Sequence, residues 1–224
     1  MQFYVPSNMV ENYKDFLQTE VCHTIKWSRN IFAETPIWNE ERVEISSVNF
    51  KSKQYGSDNT TRMRMAKDSV IQKGDVILYD NKEYIVTWNI NDDRPDSRAC
   101  MIELLTTPIT FKRFKAAIVD EETGNIIEPD KYEPIFPTIR CMHIMNGNFE
   151  IRLKNSQAGL LPNNRLTISM QANPETFKLR KNDIFDLYGE THIIHDILYT
   201  EIGYDGETGL IVVHAEIAAL DGDI

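Results

Sequence analysis

The stretches IQKGDVILYDNKEYIV (71–86) and LRKNDIFDLYGETHII (179–194) repeat one another, one in each half of the chain. Laid over each other without a gap they share Lys73/Lys181 and Asp75/Asp183, and β-branched pairs at Val76/Ile184, Ile85/Ile193 and Val86/Ile194. Each has a turn-prone centre, Asp80-Asn81 in the first and Gly189 in the second, so each reads as strand, tight turn, strand. Each is also followed by a polar loop and another strand: NDDRPDSR then ACMIELL, and YDGETG then LIVVHAEI. A chain that carries this hairpin twice in the same setting is constrained to two related β modules. The prediction is a mainly antiparallel all-β fold of two small barrel- or sandwich-like modules, with residues 1–110 and 111–224 as the domains.

Other segments agree with that class. ERVEISSVNF alternates Val43 and Ile45 with polar neighbours, as a half-buried strand does. FKAAIVD and NIIEP flank EETG as a hairpin, and Pro129, Pro134 and Pro137 then make a link suited to a crossing between modules. TIRCMHIM and FEIRLKN flank Asn-Gly, and RLTISMQA alternates Leu166, Ile168 and Met170 on one face. One short helix is expected at the N-terminus, about 9–21. Asn8 and Glu11 form a capping box there, and Val10, Tyr13, Phe16, Leu17 and Val21 recur at helical spacing.

Bulk chemistry excludes more than it selects. The chain has 224 residues, with a net charge of −10 and 42% hydrophobic residues. That balance opposes tight binding to phosphate backbones, which needs clustered Lys and Arg. It suits either plain solubility or a surface that lets nucleic acid pass without gripping it. The basic stretch FKRFK and Trp27, Trp38 and Trp88 are the only hint of base stacking, and a wet and a buried strand face explain FKRFK as well. Cys22, Cys100 and Cys141 form no CxxC pair, which points to a reducing setting without a disulfide framework. A secretory signal and a membrane span are not expected, so the chain reads as soluble.

Catalytic motifs are not found: no GxSxG, P-loop or GxGxxG. His192 and His195 stand three apart in a predicted strand and so face opposite sides, and a shared metal would need His195 and His214 to meet beside Asp196 or Glu216. The Asp92, Asp93, Arg94, Asp96 loop lacks the Gly and Glu of a calcium loop and reads as a solvated turn. The expectation is a protein that is not an enzyme, with no catalytic residues, no metal and no cofactor.

The phrase KGDVILYDNKEYIV, in a small β-barrel behind a long polar loop, resembles the head-closure (stopper) and head–tail connector proteins of tailed bacteriophages. Lys73-Gly74-Asp75 and Tyr84-Ile85-Val86 carry the likeness, and the second copy departs from it with Asn182 and His192. The resemblance implies a virion neck subunit that assembles with itself as a ring between portal or adaptor and tail proteins. It also implies transient contact with packaged DNA, no membrane contact, and assembly in the host cytoplasm. The loop aimed at the DNA channel would be KSKQYGSDNTT, with Lys51, Lys53, Tyr55, Asp58 and Asn59 as candidates and Asp92, Asp93, Arg94 and Asp96 as a second loop. Two other readings stay open: a tail or baseplate adaptor that binds a protein or a host glycan, and a metal-dependent β-barrel enzyme using His192, His195 or His214.

Overall fold

The computed structural model describes residues 13–33, 35–47, 61–90, 95–120, 122–145, 165–203, 206 and 208–218. They divide into two compact units, the first being Met1–Leu105 with 170–173 and 201–210, and the second Thr106–Ser169, Pro174–Thr200 and Ile211–Ile224.

The first unit holds helix α1 (Tyr13–Leu17) and strands β1 (His23–Ser28), β2 (Asn39–Ser47), β3 (Thr61–Ala66), β4 (Val76–Tyr79), β5 (Lys82–Ile90) and β6 (Ser97–Leu104). The strands close an antiparallel barrel in the order β1-β2-β3-β6-β5-β4. Alternation puts Ile25, Trp27, Val43, Met63, Met65, Ile77, Val86, Cys100 and Ile102 into one core. Helix α1 lays Tyr13 and Leu17 against Cys22 and Ala66. It ends earlier than its periodicity predicts. The Thr19 hydroxyl donates to the Phe16 carbonyl (2.7 Å), and the Gln18 and Thr19 amides bond three residues back to Asp15 and Phe16. The chain thus tightens into turns before β1. Asn8, Val10 and Glu11 lie outside the described residues, and Val21 is exposed instead of joining the apolar face.

The second unit holds β7 (Thr107–Ile109), β8 (Lys112–Lys115), β9 (Ile118–Val119), β10 (Ile126–Glu128), β11 (Lys131–Pro134), β12 (Ile139–Met145), β14 (Ile184–Leu187) and the greater part of β13 (Arg165–Gln171), β15 (Glu190–Ile202) and β16 (Gly209–Ile217), whose end residues 170–171, 201–202 and 209–210 count with the first. Eight of them form one sheet in the order β11-β8-β14-β15-β16-β13-β12-β7. The sheet curls, because β7 at one end and β8 near the other are successive pieces of one stretch, divided only by Thr110 and Phe111. With β7 and β8 in the place of β1, the strand cycle of the first barrel recurs: β12, β13, β16, β15, β14 follow as β2, β3, β6, β5, β4 do. Phe111 is fully buried where that stretch bends, 5.7 Å from Phe136 and 5.2 Å from Phe185 between ring centres. Pro129, Pro134 and Pro137 lie within this unit, and Pro134 ends β11.

The doubled phrase is therefore a doubled structure, bond for bond. In the first copy the Gly74 amide donates to Val86 O (2.8 Å) and the Val86 amide to Asp75 O (3.0 Å). In the second the Asn182 amide donates to Ile194 O (2.9 Å) and the Ile194 amide to Asp183 O (2.9 Å). Asp75 caps its own turn through the Gln72 amide (2.8 Å), and Asp183 does the same through the Arg180 amide (2.7 Å). Each buried carboxylate also meets an arginine, Arg113 of β8 in the second copy and Arg29, the residue just after β1, in the first. Arg113 Nε and Nη2 reach Asp183 at 2.8 Å each, while Arg29 reaches Asp75 at 3.3 and 3.4 Å. Both guanidinium groups go on to one carbonyl, Val70 O for Arg29 and Lys178 O for Arg113.

Candidate functional site

The loops singled out in the sequence leave the first barrel at opposite ends. The register of β3 on β6 sets Thr61 opposite Ile102 and Ala66 opposite Ser97. The β2–β3 connection therefore leaves at the Thr61 end, and the β5–β6 connection at the Ser97 end. Lys51, Lys53, Tyr55, Asp58 and Asn59 lie outside the described residues, as do Asp92, Asp93 and Arg94. Asp96 is described, and its carboxylate accepts the Tyr13 amide at 2.7 Å at the start of α1. A shallow cleft lined by Tyr13, Lys14, Asp15, Lys67, Asp68, Pro95 and Asp96 surrounds that contact, with Lys14 paired to Asp68 at 2.6 Å. The Lys14 ammonium holds the Asp68 carboxyl below the usual carboxylate range. Asp96 thus anchors the helix to the barrel.

Four of the five histidines, His143, His192, His195 and His214, lie in the second unit, and His23 opens β1 in the first. His192 is buried and stacked on Phe185, with ring centres 5.2 Å apart and planes at 10°, and its Nδ1 lies 3.2 Å from Glu190 O. His195, on the other face of β15, pairs through Nε2 with Glu216. Asp196 pairs with Lys181 at 2.9 Å. His143, which sequence reasoning passed over, lies between the Thr107 hydroxyl at Nδ1 and the Tyr188 hydroxyl at Nε2 (3.1 Å), and burial lowers its pKa. Among the described residues no group of three or more His, Cys, Asp or Glu side chains is placed to share a metal ion. Cys22, Cys100 and Cys141 are buried free thiols, and burial pushes Cys100 up to about 12 and raises the other two as well. They are neutral at physiological pH and poor nucleophiles.

The basic stretch FKRFK is neutralised residue by residue. Phe111 is core, Lys112 meets Asp186 (2.6 Å), Arg113 meets Asp183, and Lys115 lies 3.6 Å from both Glu128 and Glu133. Of the tryptophans, Trp27 is buried in the barrel and Trp38 is partly exposed. No helix among the described residues is long and apolar enough to cross a membrane.

One element of the second unit has no counterpart in the first barrel. Where β1 joins β2 through a short link, β8 continues into β9 and returns through β10 and β11 as a long hairpin arm. It keeps one antiparallel register from Lys112↔Pro134 through Lys115↔Lys131 to Ile118↔Glu128. Its tip is an Asp turn, in which Asp120 Oδ1 accepts the Glu122 and Thr123 amides at 2.9 Å and Gly124 takes a positive φ of 68°. Phe114, Ile118, Val119, Ile126, Ile127 and Tyr132 are all exposed on it, Ile126 at 67%. That is a concentration of apolar surface of the kind that marks protein contacts. The sequence did predict the β9–β10 hairpin, but β11 was hidden by its prolines.

These features define a class: an antiparallel β protein of two like-wound units, one of them carrying an apolar arm. Residues 34–216 match the YomX C-terminal domain family, and the chain belongs to that phage-associated family. No curated protein and no solved structure matches the chain.

Proposed function

We propose that the chain is a structural subunit of a tailed-phage particle, acting by assembly in the neck, where copies form a ring that links portal to tail and lets DNA pass. The observation that carries this reading is membership, over residues 34–216, of a phage-associated family. The barrel leading with KGD, the acidic net charge of −10 and the apolar arm agree with it. Rings close through head-to-tail contacts, and the subunit contributes binding surfaces without turnover. Portal or adaptor and tail proteins are its neighbours, packaged DNA is a transient one, and assembly takes place in the host cytoplasm.

Electron-microscopy class averages of the chain mixed with the portal protein of its phage test the reading. Rings stacked coaxially on the portal are expected. A chain that stays monomeric both alone and with portal and tail proteins overturns it. The exposed arm also favours a second reading, a tail or baseplate adaptor that grips another protein. Location separates the two, since antibody label at the tail tip instead of the neck selects the adaptor.

A further inference from the structure

Among the described residues, the arm carries a strand, β11, that pairs on one side alone. The first barrel is closed, and the eight-stranded sheet has β11 as its outermost strand at the end opposite β7. The register fixes which groups on β11 face outward. The Ile135 amide donates to Phe111 O (2.9 Å), and antiparallel pairs alternate, so Glu133 and Lys131 bond inward to Arg113 and Lys115. The N–H and C=O of Tyr132 therefore point away from the sheet. Tyr132 is half-exposed, in edge-to-face contact with the half-exposed Phe114 at 5.5 Å.

We infer that this edge pairs with the same edge of a second copy, antiparallel and centred on Tyr132. The residues Lys131-Tyr132-Glu133 are self-complementary in that arrangement. Tyr132 exchanges both backbone hydrogen bonds with the partner's Tyr132, while Lys131 falls opposite the partner's Glu133 and Glu133 opposite the partner's Lys131. On one face the Phe114–Tyr132 pair continues into its symmetry mate as a row of four rings. On the other, the cluster in which Lys131 meets Glu133 (2.8 Å) and Lys115 meets Glu133 and Glu128 is extended by charges of the right sign. Pro134 has no N–H to offer at the next outward position, which ends the pairing and keeps it from spreading along the edge. The contact is two-fold and does not rest on the ring reading, since a ring closes through head-to-tail contacts and this one joins copies in pairs.

The test is a charge swap read by analytical ultracentrifugation of the full chain. Lys131→Glu places Glu opposite Glu, and Glu133→Lys places Lys opposite Lys. Each single variant is expected to associate about tenfold more weakly or worse, so that at a fixed concentration the wild-type mass halves. Mixing the two variants makes every cross-strand pair complementary and restores the mass, as does the double variant alone. Circular dichroism and melting temperature confirm that all variants fold. A wild type with no paired species, single variants of unchanged mass, or a mixture that fails to re-pair overturns the proposal. A ring of unchanged mass in both single variants sinks the pairing and leaves the neck reading standing, and a wild type that pairs without closing a ring does the reverse, so the two proposals fail separately.

Discussion

Gly74 and Asn182 occupy the same place in the two hairpins, and both need a left-handed backbone, φ 88° and 72°. Asn tolerates that region better than most residues, which is why the second copy can read KND. The first cannot, because a Cβ on Gly74 would lie 1.9 Å from the Gly209 carbonyl oxygen, a backbone atom. Gly74→Ala should therefore cost more than about 3 kcal/mol, whereas Gly189→Ala, with φ 83° but open space, should cost about 1 kcal/mol of backbone strain. Urea denaturation of the two variants checks the contrast, and equal losses would contradict it. Glu41 gives a pH-dependent case. Burial raises its pKa in the fold, against a favourable bond from Ser69 Oγ (3.0 Å). A folded pKa above the unfolded one means the native state binds more protons, so Glu41 costs stability above the ordinary glutamate range and the cost fades as pH falls. Glu41→Gln should stabilise the protein at pH 7 and lose that advantage toward pH 4, as seen in paired urea titrations.

At the scale of elements, the hairpins were legible because their β-branched pairs and turns are local. Their anchors were not. Asp75 and Asp183 stand out as shared residues, but Arg29 and Arg113 reach them from positions distant in sequence, and no spacing rule links the members of each pair. Asp75 and Asp183 are both nearly fully buried, and each accepts a guanidinium and a backbone amide. Replacing either with Ala leaves an arginine and a turn amide without their acceptor, at about 2–4 kcal/mol. Guanidinium-chloride unfolding of Asp75→Ala and Asp183→Ala should show losses in that range, and a loss below about 1 kcal/mol would mean the anchors contribute little. Strands β3 and β11 were missed for compositional reasons. β3 buries Met63 and Met65, which carry little strand propensity, and β11 sits among prolines that read as a link. Met63 and Met65 do alternate with Arg62 and Arg64, and that period of two was the available signal.

For the whole molecule, the class was readable from repetition. A hairpin phrase used twice led to two β units, and the shared strand cycle is its three-dimensional form. What the sequence could not display is the arm as an exposed edge, because exposure depends on which neighbours the fold supplies. The candidate channel residues 51–59 lie outside the described structure, so the functional reading leans on family and architecture. On the reading proposed above, this chain works as an assembled subunit. Light scattering coupled to size exclusion, on the purified chain with and without its portal protein, measures that most directly. A single closed species of more than two copies of the 26.0 kDa chain is expected. A mass that stays at one copy in both conditions, or stops at two with the portal present, would contradict it.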